Sequence, residues 1–197
     1  MITPVFPTLI HFFTVDDYSL IKDQLIEFVY EEQRKDPVGK VVSNIGGWQS
    51  KSYCENNILF TTIQETVSKY FSTNRIFSKN TLMNISSFWI NINKKGDHNE
   101  LHDHSMCDMA GVFYLKTPKD CGRIEFQSPN SFIQCKEMAW YNSELCKSYN
   151  FYPAYGWDVQ ESEIYIFPSS LVHKVHQNKT DNDRISVSFN IQLYLNK

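Results

Sequence analysis

The chain has 197 residues, enough to bury a sizeable core, and we read residues 1–197 as a single domain. Hydrophobic residues make up 42% and aromatics 15%, an ordinary globular balance. A net charge of −3 excludes a global field that would draw the chain to nucleic acid or to an anionic membrane, and no apolar stretch approaches a membrane span.

Residues 1–17 show neither a basic leader nor the long apolar run of a signal peptide. The five cysteines, at 54, 107, 121, 135 and 146, are odd in number and form no C-x-x-C pair. Together these features predict free thiols and a cytoplasmic protein. Asp16 or Asp17 is placed to cap a helix running to about Arg34, with Leu20, Ile21, Leu25, Phe28 and Val29 on one apolar face. Asp36-Pro37-Val38-Gly39 ends it, and residues 43–50 form a turn-rich loop. A second helix is expected over Asn57–Phe71, with Ile58, Leu59, Ile63, Val67 and Tyr70 inward.

After residue 80 the texture becomes β. Strands are predicted over Leu82–Ile92, Gly111–Leu115, Arg123–Phe126, Glu163–Phe167 and Arg184–Leu195, separated by Gly, Pro, Asn and Asp. Short strands of this kind suggest an antiparallel sandwich, so the fold class is mainly β with N-terminal helices (α+β). Residues 128–160 read as a long loop, either a lid over a binding site or an insertion covering one sheet.

The chemistry concentrates in two histidine clusters. His102-Asp103-His104 has the i, i+2 spacing that puts two side chains on one strand face. Phe167-Pro168-Ser169-Ser170-Leu171-Val172-His173 offers a third histidine, and Arg184 follows eleven residues on. Three ligands with open positions left over suit a non-haem iron centre. An arginine behind them suits a dicarboxylate co-substrate, because its planar fork can grip a carboxylate with two parallel hydrogen bonds. Asp103 faces away by the period-two rule and is the poorer ligand. A bulge near His104 would turn it inward. His98, His176 and Arg123 read as surface residues, and Cys107 as a small half-buried side chain.

The motif order resembles that of the 2-oxoglutarate/Fe(II) oxygenase superfamily. More narrowly, it is similar to an oxygenase family of bacteria and marine phages. That family runs through Gly-Gly-Trp-Gln-Ser, Trp-x-Asn, His-x-His, Ser-Gly-Val-Tyr-Tyr-Leu, Phe-x-x-Pro, Phe-Pro-Ser-x-x-x-His and Arg-x-Ser-x-Ser-Phe-Asn. This chain carries Gly46-Gly47-Trp48-Gln49-Ser50, Trp89-Ile90-Asn91, His102-Asp103-His104 and Ala110-Gly111-Val112-Phe113-Tyr114-Leu115. It continues with Phe126-Gln127-Ser128-Pro129, Phe167 to His173, and Arg184-Ile185-Ser186-Val187-Ser188-Phe189-Asn190.

The resemblance implies a double-stranded β-helix, or jelly roll, with helices packed on one sheet. It implies Fe(II) held by His102, His104 and His173, and 2-oxoglutarate paired with Arg184, with Ser186 and Tyr114 beside it. Asn91 opens an Asn-x-x-x-x-Gly run like that of the alkylated-nucleobase demethylases, where such an asparagine contacts the co-substrate. This chain has Asn93 where those enzymes have tyrosine. It also has His104 where the superfamily has Asp or Glu. The implied activity is a dioxygenase, in effect a hydroxylase, that uses O2 and converts 2-oxoglutarate to succinate and CO2, with these three histidines and Arg184 as its catalytic machinery.

Two other readings compete. A cupin-like metal protein would add Asp108 as a fourth ligand and need no 2-oxo acid. A non-enzymatic interaction module, such as an accessory protein of a phage particle, would keep the histidines as a relic. Arg184 and Ser186 favour the oxygenase, since neither alternative needs them. Nothing basic and aromatic-interleaved points to nucleic acid, and the primary substrate and oligomeric state are not read from the sequence.

Overall fold

The computed structural model describes residues 2–53, 57–130 and 141–196. Two antiparallel sheets face one another. The larger has the order β1(His11–Thr14), β9(Glu163–Pro168), β6(Met109–Lys116), β11(Arg184–Leu195), β4(Thr81–Asn93), β3(Trp48–Gln49). The smaller has the order β2(Asn44–Ile45), β5(His98–His102), β10(His173–Val175), β7(Arg123–Gln127), β8(Ala154–Asp158). Helices α1(Tyr18–Lys35) and α2(Ile58–Thr73) cover the outer face of the larger sheet, and a short α3(Ser143–Ser148) precedes β8. The chain is mainly β, as its pattern predicts.

Strand periodicity explains the layering. On β11, Ile185, Val187, Phe189 and Ile191 are fully buried against the helices, while Arg184, Ser186, Ser188 and Asn190 occupy the opposite face. On β4, Phe88, Ile90 and Ile92 go to the helices, and Trp89, Asn91 and Asn93 to the other side. Leu25, Val29, Leu59, Ile63 and Val67 supply the matching apolar face of the helices, each fully buried. Burying one such side chain is worth about 1.5–3 kcal/mol. A second, smaller cluster lies between the sheets, built from Val112, Ile124, Phe126, Tyr165, Phe167 and neighbours.

The helices follow the predicted spans with local corrections. Asn57 caps α2, its Oδ1 accepting from Phe60 N–H at 3.0 Å. Asp17 occupies the cap position of α1 but makes no side-chain capping bond, because its backbone is left-handed with φ 50°. Leu20, expected on the apolar face, is 82% exposed; Tyr18 takes the inward place and its hydroxyl donates to Leu115 O. Residues 131–140 of the expected long loop lie outside the described residues. The rest of that segment contains α3 and the edge strand β8, so it is not one continuous loop.

Gly111 in the β6 motif is explained by packing. A Cβ there would lie 2.3 Å from Phe189 Cζ, and the Phe189 ring is fully buried between sheet and helices. Gly111→Ala should therefore destabilise the protein by roughly 1–3 kcal/mol, the usual cost of overpacking a core. Chemical denaturation should show a lower midpoint at an unchanged slope, and equal stability would mean that the ring has room to move.

Candidate metal centre

The three histidines singled out by spacing converge on one point. One ligand nitrogen from each of His102, His104 and His173 lies within 4.8 Å of the others. His102 and His173 are direct cross-strand partners on β5 and β10. The pairing slips just beyond them. Val175 pairs with Asn99, so three steps on β5 match two on β10, and the extra residue lets both Asn99 and His102 face the cavity.

His104 arrives by a different route from the one its spacing suggests. β5 ends at His102, so the i, i+2 strand rule does not place His104. Its backbone N–H instead donates to Ser169 O at 2.9 Å, and Ser169 N–H donates to Asp108 O at 3.2 Å. The Phe-Pro-Ser turn between β9 and β10 thus clamps the chain after β5. Asp103 is exposed and stands outside the cluster, and the irregularity in β5 falls before His102 rather than near His104. Asp108 is also outside it: its Oδ2 accepts from Leu193 N–H at 2.7 Å, which removes the fourth ligand a cupin-like site would use. Cys107 Sγ points to His104 O and is no member of the cluster.

The ring nitrogens are arranged for metal binding. His102 Nδ1 donates to Glu100 O at 2.7 Å, His173 Nδ1 to Leu171 O at 2.9 Å, and His104 Nδ1 to Asn190 Oδ1 at 2.8 Å. With the proton on Nδ1, each Nε2 keeps its lone pair for a metal. Burial lowers all three pKa values, that of His173 to about 3, so the imidazoles are neutral at neutral pH. Trp89 stacks on His104 at 5.5 Å between ring centroids, and Phe167 packs edge-on to His173 at 4.7 Å. The roles of Trp89 and Asn190 were not read from the sequence, although both lie within its motifs.

A cavity of about 220 Å3 runs from His102 and His104 along the inner face of the larger sheet. Its floor is a row of paired strand residues: Gln49 beside Asn91, Asn91 beside Ser186, Ser186 beside Tyr114. Arg184 closes the far end. It is only 1% exposed, and its Nη1 donates to Cys121 O and His176 O. Among the described residues its Nε and Nη2 have no partner, and no ion pair includes it. Tyr114 OH and Asn91 Oδ1 are likewise buried without partners. Burial raises the Tyr114 pKa, so its phenol stays a hydrogen-bond donor.

A larger, open groove of about 930 Å3 lies on the outer face of the smaller sheet, away from the histidine cluster. On that face Arg123, Lys174 and His176 all pair with Glu125. Arg123 and His176 therefore belong to that surface rather than to the cavity.

A model of the family described as "Putative 2OG-Fe(II) oxygenase" matches residues 87–190, just over half of the chain. No curated protein matches the sequence. Among solved structures, the α-ketoglutarate-dependent carbocyclase SnoK of nogalamycin biosynthesis is similar with a TM-score of 0.66 at 11% identity, over 93% of this chain and 79% of that one. A prolyl-4-hydroxylase of Pseudomonas putida gives 0.60 at 9% identity, over 94% and 92%. The viral collagen prolyl hydroxylase of Paramecium bursaria Chlorella virus-1 gives 0.58 at 12% identity, over 92% and 94%. At these identities the likeness is one of fold, the double-stranded β-helix. The matched span contains all three histidines and Arg184, and the chain belongs to this family of 2-oxoglutarate- and iron(II)-dependent oxygenases.

Proposed function

We propose that this enzyme is a hydroxylase whose iron(II) is held by His102, His104 and His173 and whose 2-oxoglutarate is anchored at its distal carboxylate by Arg184. The free edge of Arg184 carries this reading. Nε–H and Nη2–H form the side of the guanidinium that matches a carboxylate through two parallel bonds, while Nη1 is already held by two main-chain oxygens. A buried guanidinium with three of its five N–H donors unmet is costly, and an incoming carboxylate removes much of that cost.

When bound, iron(II) and 2-oxoglutarate supply the oxidising chemistry: O2 is consumed, 2-oxoglutarate leaves as succinate and CO2, and one oxygen atom enters the substrate. The chain's own residues bind and orient. Tyr114 OH supplies a third donor to the carboxylate, and Ser186 lies in the row next to Arg184. Asn91 fits less well as placed. Its Nδ2 donates to Ser188 Oγ at 3.1 Å, which leaves an acceptor, Oδ1, facing the cavity, and a dicarboxylate has no donor to offer it. That oxygen suits a donor on the primary substrate. Turned over, the same amide would accept from Ser188 and donate to the carboxylate. Val112, Ile124 and Val175 line the cavity as apolar wall, which limits water and strengthens the charge interactions inside.

We place the enzyme in the cytoplasm, as one domain. The free thiols of Cys107, Cys121 and Cys146 support a reducing compartment. No described helix is long and apolar enough to cross a membrane.

Arg184→Ala should weaken 2-oxoglutarate binding by at least roughly 30-fold, because truncating one partner of a buried charge pair costs about 2–5 kcal/mol. Metal affinity should stay near wild type. Calorimetry on the metal-loaded protein reads both, and equal 2-oxoglutarate affinity in mutant and wild type would remove Arg184 from this role.

His104→Ala should lower metal affinity at least as much as losing a group that orients a ligand, roughly 10–100-fold. Asp103→Ala and Asp108→Ala should leave it unchanged. Metal titration of the three variants decides the ligand set. Retained metal in His104→Ala together with loss in either aspartate variant would overturn the three-histidine assignment.

A further inference from the structure

The three imidazoles present Nε2 to the cluster only while Nδ1 carries the proton. For His102 and His173 the main chain settles this. Glu100 O and Leu171 O can only accept, so the facing Nδ1 must donate, and no side-chain substitution changes that. His104 is different. Its Nδ1 meets a side chain, Asn190 Oδ1, at 2.8 Å. A carboxamide is an acceptor at one end and a donor at the other. With its oxygen toward the ring it holds the proton on Nδ1. With its nitrogen toward the ring it would place the proton on Nε2 and cancel the ligand.

Asn190 is itself held in position. It lies on β11 directly beside Ser87 of β4, and its Nδ2 donates to Ser87 Oγ at 3.3 Å, which leaves Oδ1 for His104. The pairing of β4 with β11 slips immediately after this residue, between Asn190 and Ile191, so the local twist is set at the level of Asn190. The ring has two further restraints: the backbone bond to Ser169 O and the stacking on Trp89. Neither of these distinguishes Nδ1 from Nε2. The amide alone does so.

Resting on the metal-centre reading above, we propose that Asn190 is the positioning residue that fixes His104 as its Nδ1–H tautomer and thereby makes it a ligand. As an uncharged acceptor it also orients the ring without adding a negative charge to a site whose three ligands are all neutral.

The test compares Asn190→Asp, which keeps an acceptor of the same shape, with Asn190→Leu, which keeps the bulk and removes it. Long-range proton–nitrogen correlation spectra of the metal-free, 15N-labelled protein report which nitrogen of each imidazole is protonated. Co(II) titration reports the consequence for binding. In the wild type and in Asn190→Asp, His104 should carry its proton on Nδ1, and Asn190→Asp, whose carboxylate adds negative charge and raises the basicity of the ring, should bind Co(II) at least as tightly as the wild type. In Asn190→Leu, the Nε2–H form of His104 should appear and Co(II) affinity should fall about 10–100-fold. The His102 and His173 signals should not change, which separates the effect from misfolding. Should Asn190→Leu fail to fold, the smaller Asn190→Ala takes its place with the same expected readouts. Unchanged Co(II) affinity on loss of the acceptor, or an unchanged His104 tautomer, overturns the proposal. A wild-type protein that binds no Co(II) overturns the metal-centre reading instead, and the tautomer spectra still judge the Asn190 contact separately.

Discussion

Everything in this site depends on the alternation of side chains along two neighbouring strands, β4 and β11. In most sheets one face meets the core and the other meets water. Here the second face meets a cavity. Ile185, Val187 and Phe189 bind the sheet to its helices, and the residues between them, Arg184, Ser186, Ser188 and Asn190, are thereby committed to an enclosed polar surface. One register slip would turn the arginine into the helix layer and the isoleucines into the cavity. The long ladder between β4 and β11, paired from Arg184 with Asn93 to Leu195 with Thr81, guards against that.

The electrostatics follow from this placement. Arg184 brings a positive charge to the closed end of the cavity and joins no ion pair among the described residues, the Asp97 carboxylate acting on it only at longer range, and the histidines bring three neutral imidazoles to the other end. None of the acceptors behind those histidines is a carboxylate either: two are main-chain carbonyls and one is an amide. A dipositive ion held by these three imidazoles would receive no charge from them, where a carboxylate ligand would offset one unit. With metal bound, the cavity would carry a net positive charge from the ion and Arg184 against the single carboxylate of Asp103, within a protein whose overall charge is −3. That contrast favours a dianionic co-substrate on both its ends.

Much of this was legible in the sequence. Strands β4, β6, β7, β9 and β11 carry apolar residues and were predicted nearly to their ends. β5 and β10 were not, because His98-Asn99-Glu100-Leu101-His102 and His173-Lys174-Val175 face a polar cavity on one side and charged surface on the other, leaving no hydrophobic signature. Leu20 was placed inward by helical period, yet the inward positions of that turn belong to Tyr18 and Ile21. The convergence of His102, His104 and His173 was anticipated by a strand rule that does not reach His104. What brings it in is Ser169 on a distant turn and Asn190 on β11, partners that no local spacing reveals.

The central claim is that one cavity joins a metal held by three histidines to a 2-oxo acid held by Arg184. Its most direct test is an anaerobic absorbance titration of the Fe(II)-loaded protein with 2-oxoglutarate. Chelation of iron(II) by the 2-oxo acid gives a metal-to-ligand charge-transfer band in the visible. The account predicts that the band appears, saturates at one equivalent per chain, and does not form with glutarate, which has both carboxylates but no keto oxygen. An Fe(II)-loaded protein that shows no band at saturating 2-oxoglutarate would contradict it.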